Sequence, residues 1–415
     1  MSTTAITGAR VFDGEKPLGV TTVVIEGGRI VQVGGEAPAG AEVVDGSGAT
    51  LLPGLIDAHV HTDRDSLALA LKFGVTTELE MQGVHTRDRR GAISEDDSVA
   101  DVRSSGFALT PPGGHPSELF PEGFDPGRPV GGGQGGGQGG GHRGAPPYRP
   151  DATGPEAAAA SVPQLIAHGS DYIKFMIDDG SVEGHPGLPM LDQDTLNAGV
   201  AAAKKLGVLS VAHVLTIDAA RMAVQAGIDG LVHLFVEPPT DEIITMIKDA
   251  GMFVVPCTVL NASMMGITGS ELADDPRVSS RLDTDWDTTL RSCFGHYPQG
   301  KLQDVLDSVK ALVDAGVDLL VGTDASLPMP FLGGLAHGAS VHQELQHLVQ
   351  AGLTPAAALR AATATTARRF RLSDRGRIAE GLRADLLLVD GDPTTTITDS
   401  LNTRSVWRRG TRLAS

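Results

Sequence analysis

Short apolar runs rich in valine and isoleucine alternate along the chain with helical stretches, and the helices repeatedly end in glycine just before the next run. KFG-VTTELE, SSG-FALT, KLG-VLSVAHV, QAG-IDGLVHLF, DAG-MFVVPCTV and DAG-VDLLVGTDA all follow this rule. A glycine that caps a helix and leads into a buried strand marks a repeated βα unit. Runs at 51–61, 75–81, 107–110, 171–177, 208–214, 230–235, 252–259 and 318–324 predict eight parallel strands. Eight such units fit a (β/α)8 barrel better than an open sheet, within the α/β class. The two ends read differently. Residues 4–50 and 384–413 hold short strands separated by turn signals, antiparallel in pattern and too short to stand alone. They are expected to combine into one small composite β-sandwich, formed by 1–53 and 380–415, beside a barrel of 54–379.

Composition changes this picture in one place. Glycine accounts for 53 of 415 residues, and nine of these fall within 131–141 (GGGQGGGQGGG), inside a Gly/Pro-rich insertion at about 111–155. Such a run orders itself at high entropic cost, so it is either a flexible insertion or a lid over a site. The net charge of −18, from 33 basic and 51 acidic residues, argues against a nucleic-acid partner or an anionic membrane surface. Two cysteines, Cys257 and Cys293, cannot build a disulfide framework. No secretory signal or membrane-length apolar run is visible, so a cytoplasmic location is expected.

In a barrel, chemistry gathers at the C-terminal ends of the strands. The first run ends in Asp57-Ala-His59-Val-His61, whose two histidines share a face. Lys174 sits in the apolar DYIKFMID, His213 in SVAHV, His233 in GLVHLF and Asp324 in VGTDA. Each has an ordinary alternative. A strand histidine can be structural, Lys174 can pair with a carboxylate, and Asp324 can cap the next helix. Six metal-competent residues converging from five strands are better explained by a shared site.

The stretches LLPGLIDAHVHTD, GVTTELEMQG, DYIKF, SVAHV, LVHLF, GTDA, AGLTPAAALRAATATTARRF and GRIAEGLRADLLLVDGDP resemble the amidohydrolase superfamily, in its imidazolonepropionase-like and Xaa-Pro-dipeptidase-like branch. The resemblance implies a distorted TIM barrel with a composite β-sandwich and a centre of two divalent metal ions. It assigns His59, His61 and Asp324 to the more buried ion and His213 and His233 to the other, with a carbamylated Lys174 bridging both. Zinc heads the expectation, and manganese, iron and nickel suit the same donors. Two cations would generate a hydroxide nucleophile near neutral pH, with Asp324 shuttling the proton. His115, in PPGGHPSELFP, matches a Gly-Gly-His that faces substrate in this branch, so it is taken as a second catalytic candidate.

His142 and His185 are read as solvated loop residues over the same rim, and Glu80 as either a support to the site or an interior hydrogen bond. Cys257 is read as wall packing, and HQELQH (342–347) as a solvated helix because its histidines are five apart. Met264, Met265, Met329 and Phe331 hint at a bulky apolar substrate group. Deaminases of the superfamily carry a glutamate a turn beyond the His213 position, where His213-Val-Leu-Thr-Ile-Asp218 has none. The expectation is therefore hydrolysis of an amide or peptide-like C–N bond in a small molecule such as an N-acyl amino acid or dipeptide. The alternatives are lactone, ester or phosphotriester hydrolysis, deamination, or a non-catalytic binding subunit. By family habit the chain is expected to form a homo-oligomer.

Overall fold

The computed structural model describes residues 3–119 and 147–413. The glycine run 131–141 and His142 lie outside the described residues.

Eight parallel strands form two sheets. We label them β1 (Leu55–Val60), β2 (Val75–Glu80), β3 (Asp101–Ser104), β4 (Ile173–Ile177), β5 (Ser210–Val214), β6 (Gly230–Val232), β7 (Phe253–Val255) and β8 (Asp318–Leu319). One sheet has the order β3-β2-β1 and the other β4-β5-β6-β7-β8. Backbone hydrogen bonds tie the sheets together at both edges. Leu109 N donates to Lys174 O and Met176 N to Leu109 O, while Ala58 N donates to Val321 O and His61 N to Ala325 O. The strands are buried on both faces, as expected of parallel strands flanked by helices.

Five of the six helix-ending glycines behave as their sequence positions predict; the sixth, Gly106 of SSG-FALT, follows the strand Asp101–Ser104 and ends no helix. Gly74, Gly207, Gly227, Gly251 and Gly316 each follow a helix with φ between 66° and 83°, the left-handed geometry that glycine adopts without strain. The third strand departs from the expectation. It is Asp101–Ser104, with 107–110 contributing only the Leu109–Phe175 bridge. ADVRSS is too polar for apolar patterning to find, because its charged residues are held by a buried ion-pair cluster. The run 51–61 is also two strands. Ala49–Pro53 belongs to a terminal sheet, and the break falls at Gly54, where any Cβ would lie 2.2 Å from Thr76 Oγ1.

The chain ends do meet. A six-stranded sheet runs Thr411–Arg412, Thr403–Arg408, Leu386–Asp390, Ala49–Pro53, Arg10–Phe12, Pro17–Val20, and pairs Leu386–Asp390 with Ala49–Pro53. A four-stranded sheet holds Thr3–Thr7, Val23–Glu26, Arg29–Val33 and Glu42–Asp45. Ile6, Val23 and Ile25 from the four-stranded sheet pack in one core with Leu51, Leu388 and Trp407 from the six-stranded sheet. The pairing is not wholly antiparallel: Thr3–Thr7 runs parallel to Glu42–Asp45, and Arg10–Phe12 to Ala49–Pro53. No helix among the described residues is long and apolar enough to cross a membrane.

Candidate functional site

A cavity of about 150 Å³ opens at the C-terminal ends of the parallel strands, and His61, His115, Lys174, His213, His233 and Asp324 all line it. His59 lies directly behind, fully buried. The imidazole rings form a row. Ring centroids of His61–His59, His59–His233, His233–His213 and His213–His115 are 5.7, 4.3, 4.7 and 4.5 Å apart.

Asp324 joins this row. Its Oδ1 lies 3.1 Å from His59 Nε2 and 2.9 Å from His61 Nε2, and its Oδ2 lies 3.8 Å from His233 Nε2. Oδ1 makes no hydrogen bond despite these distances. His61 Nδ1 donates to Gln82 O at 3.1 Å, which leaves Nε2 as a lone-pair donor facing the carboxylate. Lys174, 1% exposed, reaches His59 Nε2 at 3.2 Å rather than a carboxylate. Asp324 does not cap a helix either, since the next one starts at Ala339 after Gly338.

Burial and neighbouring charge set the protonation states. Burial pushes His59 down to about 3 and His233 well below its usual value, so both rings are neutral lone-pair donors at pH 7. Burial brings Lys174 down to about 8, well below the usual lysine value, so the neutral amine is far more accessible than on an exposed lysine. Burial opposes the ionisation of Asp324, but its histidine neighbours outweigh that and hold the carboxyl well below its usual range. The backbone is strained at the same rim. His233, Cys257 and Asp324 are three of the five described non-glycine residues with positive φ, at 71°, 50° and 64°. Each such position costs about 1–3 kcal/mol and persists only where the surroundings over-determine it.

Several residues missed in the sequence complete the site. Asp178 Oδ2 lies 2.7 Å from His213 Nε2, and Glu118 Oε1 lies 2.6 Å from His115 Nδ1. Glu183 lines the cavity, and one ligand atom each from His115, Glu183 and His213 can come within 4.8 Å of one another. Behind His59, Asp57 accepts from His59 N and from Thr323 N and Oγ1, tying β1 to the segment that carries Asp324. Burial, with the nearby Glu78, raises Asp57 to about 8. Glu78 in turn pairs with His337 at 2.7 Å, both fully buried. A carboxylate four residues beyond Lys174 was a usable signal for Asp178, and one three residues beyond His115 for Glu118. Glu183 and the Glu78–His337 pair depend on segments brought together from a distance.

Other expectations resolve as follows. Glu80 forms an interior hydrogen-bonded pair with His85 at 2.7 Å and also accepts from Ser104, while still facing the cavity. Cys257 is buried, as expected of wall packing, yet its sulfur is within ligand reach of His59 and His233. His185 is exposed. HQELQH is not a solvated helix. His342 and Glu344 are fully buried, and Glu344 accepts from Thr258 N, Thr258 Oγ1 and Val259 N at the start of helix Thr258–Met264. Five-residue spacing separates the histidines around the helix, but this helix is covered on several sides. Met264, Met265, Met329 and Phe331 do not line the cavity, whose apolar wall comes instead from Phe294, Leu119, Leu327 and Leu332.

The donor set fits divalent cations. Two groups, His59–His61–Asp324 and His115–Glu183–His213, bring ligand atoms within 4.8 Å, and neutral imidazole with carboxylate is the chemistry that zinc and its neighbours take.

The amidohydrolase family model matches residues 145–413. An adenine deaminase of Mesorhizobium japonicum is 36% identical over 115 residues, which is 27% of this chain and 17% of that protein's length. An imidazolonepropionase of Anaeromyxobacter dehalogenans is 24% identical over 406 residues, covering 88% of this chain and 83% of the relative. The crystal structure of a Xaa-Pro dipeptidase with bound methionine shares the fold over 100% of both chains, at a TM-score of 0.73 and 20% identity. The match to A. niger ochratoxinase has a TM-score of 0.72 at 22% identity, over 99% of this chain and 95% of that one. The chain belongs to the amidohydrolase family, hydrolases of carbon–nitrogen bonds.

Proposed function

We propose that this protein is a binuclear-metal amidohydrolase that cleaves an amide or peptide-like C–N bond in a small molecule. The observation that carries the reading is the convergence of His61, Lys174, His213, His233 and Asp324 on one cavity wall, with His59 directly behind, from the C-terminal sides of five parallel strands. In this reading the two edge-linked parallel sheets are a distorted (β/α)8 barrel spanning 54–379. The terminal sheets, from 1–53 and 380–415, are its composite β-sandwich. His59, His61 and Asp324 would hold one divalent ion and His213 and His233 the other, with Lys174 as a carbamate between them. Zinc is the first candidate, and manganese, iron or nickel are the others. When bound, such ions supply an activated water and polarise the substrate carbonyl.

The chain's own residues then have distinct tasks. Asp324, ionised by its neighbours, accepts the proton of the attacking water and returns it to the leaving nitrogen. Burial keeps His59 and His233 neutral, so their lone pairs are free for coordination. Burial lowers Lys174 towards the unprotonated amine that carbamylation requires. His115, fixed by Glu118, faces the cavity and can hydrogen-bond the substrate. Phe294 and the leucines exclude water around it. By resemblance to the family we further propose assembly into a homo-oligomer and a cytoplasmic location. Incubation of metal-reconstituted protein with a panel of N-acyl amino acids and dipeptides tests the reading. Release of a free amine that stops on chelation and returns with metal is expected. Cleavage confined to esters or phosphotriesters, or release of ammonia from a ring, would overturn it.

A further inference from the structure

The cavity wall is rich in carboxylates, and they are not equivalent. Glu80 is engaged by His85 through its side chain and backbone and by Ser104. Asp178 holds His213 and accepts from Gly180 N. Glu183 is different. It is only 3% exposed and faces the cavity, yet its Oε2 has no hydrogen-bond partner. His296 Nδ1 is 3.8 Å away, beyond hydrogen-bond distance. A buried carboxylate oxygen left unpaired costs free energy, and a native structure retains one where a ligand completes it.

The cavity offers the opposite charge little. Among the described residues no arginine lines it, its one lysine is Lys174, which the proposed centre uses, and His115 is already paired with Glu118. Against these stand the carboxylates of Glu80, Glu183 and Asp324, so a substrate carboxylate would find no unpaired cation in this wall. An ammonium entering beside Glu183 would instead find a preformed anion, with Phe294 nearby to cover its carbon chain. A cleft lined by one sign of charge also concentrates ligands of the other sign.

We infer that Glu183 is the ammonium-binding residue of this cavity, so that the amide cleaved carries a protonated amine close to the scissile bond. The inference rests on the hydrolase reading for the word substrate, and on Glu183 alone for the charge. It narrows the substrate class from N-acyl amino acids to amides bearing a free amine. A divalent ion held by His115, Glu183 and His213 is the competing occupant.

The test is a matched pair. Leucine anilide and N-acetyl-leucine anilide differ in whether the amine is charged, and at pH 6.5 the free α-amine, with a pKa of about 7.7–8.0, is protonated. Binding of each to metal-reconstituted protein is measured by calorimetry, and cleavage is followed separately by aniline release. The free amine should bind at least about tenfold tighter, and Glu183→Gln should bring the pair within about twofold while retaining the parent's metal content. If Glu183→Gln does not fold, Glu183→Asp should give an intermediate ratio. Equal binding in the parent, a preference that survives Glu183→Gln, or loss of metal in that variant would each overturn the assignment. If neither anilide is cleaved but the preference stands, the hydrolase reading is at fault and the ammonium site is not. Cleavage of both without a preference has the reverse meaning.

Discussion

Two buried polar clusters occupy opposite ends of the parallel strands, and the way each handles charge differs. At the start of β3, Asp101 accepts from Arg375, from Arg383 at 3.0 Å and from Arg103 at 3.1 Å, and Arg383 also engages Asp385. Burial would raise Asp101, but Arg375, Arg103, Arg383 and Arg408 outweigh it and hold the carboxyl well below its usual range. Acid and base each favour the other's charged form, as a structural knot requires. Arg408 is the exception, with Asp101 and Asp385 oxygens 3.7 and 3.8 Å away and no hydrogen bond. At the other end burial drives His59 and His233 neutral, Lys174 is brought to about 8, and Asp324 Oδ1 is left without a hydrogen bond. That end also carries the strained residues His233, Cys257 and Asp324. Arg408 aside, the first cluster pairs its charges with one another, whereas Asp324 Oδ1 in the second is left without a hydrogen bond.

Substitutions can break this contrast. The largest effect is expected at Asp324. Asp324→Asn keeps the shape and one coordinating oxygen but removes the base, so turnover should fall by about 10²- to 10⁴-fold while metal content and melting temperature stay close to the parent's. A variant turning over near the parent rate would assign the proton transfer elsewhere, with His115 next. Lys174→Ala should remove most activity and regain part of it with short carboxylic acids that replace the bridge. Full activity without added acid, at unchanged metal content, would defeat the bridging role.

At the knot the prediction reverses. Asp101→Asn leaves buried guanidinium groups uncompensated and should cost about 3–5 kcal/mol in chemical denaturation, with metal content unchanged. A variant as stable as the parent but depleted in metal would erase the distinction between the clusters.

A smaller effect sharpens the contrast. His342 is buried and held near 4 by burial, which favours its neutral form as it does for His59 and His233. Unlike them it is hydrogen-bonded on both sides, with Nε2 donating to Phe73 O and Nδ1 accepting from Ser400 Oγ, each at 2.9 Å. Its folded pKa lies below the unfolded value, so its contribution to stability is complete above about 6.5 and is lost as pH falls through 4, up to about 3 kcal/mol. Stability measured against pH should therefore decline less steeply on the acid side in His342→Gln. Parallel curves for parent and variant would contradict the assignment.

Legibility in the sequence followed the range of the interactions. His59 and His61 were readable because two-residue spacing on a strand fixes a shared face. The glycine-capped βα rhythm was readable because the cap and the strand are neighbours in sequence. Asp101–Ser104 was not, because a strand opened by an aspartate is stable only through arginines 270 or more residues away at Arg375 and Arg383. The helix of His342 and Glu344 was misread for a related reason: local spacing does not tell which faces the rest of the chain will cover. The pairing of His115 with Glu118, three residues on, lay within reach of local inspection, while that of His213 with Asp178 joins the ends of neighbouring strands 35 residues apart. The position of Glu183 in the cavity wall lay beyond that reach, since it follows from the path of the loop after β4.

The central claim is that the row of histidines, with Lys174 and Asp324, is completed by two divalent ions. Metal analysis of the purified, metal-reconstituted protein tests this most directly. Two ions per chain are expected, falling on Lys174→Ala as the bridge is lost. A folded protein that retains no stoichiometric metal after reconstitution would contradict the claim.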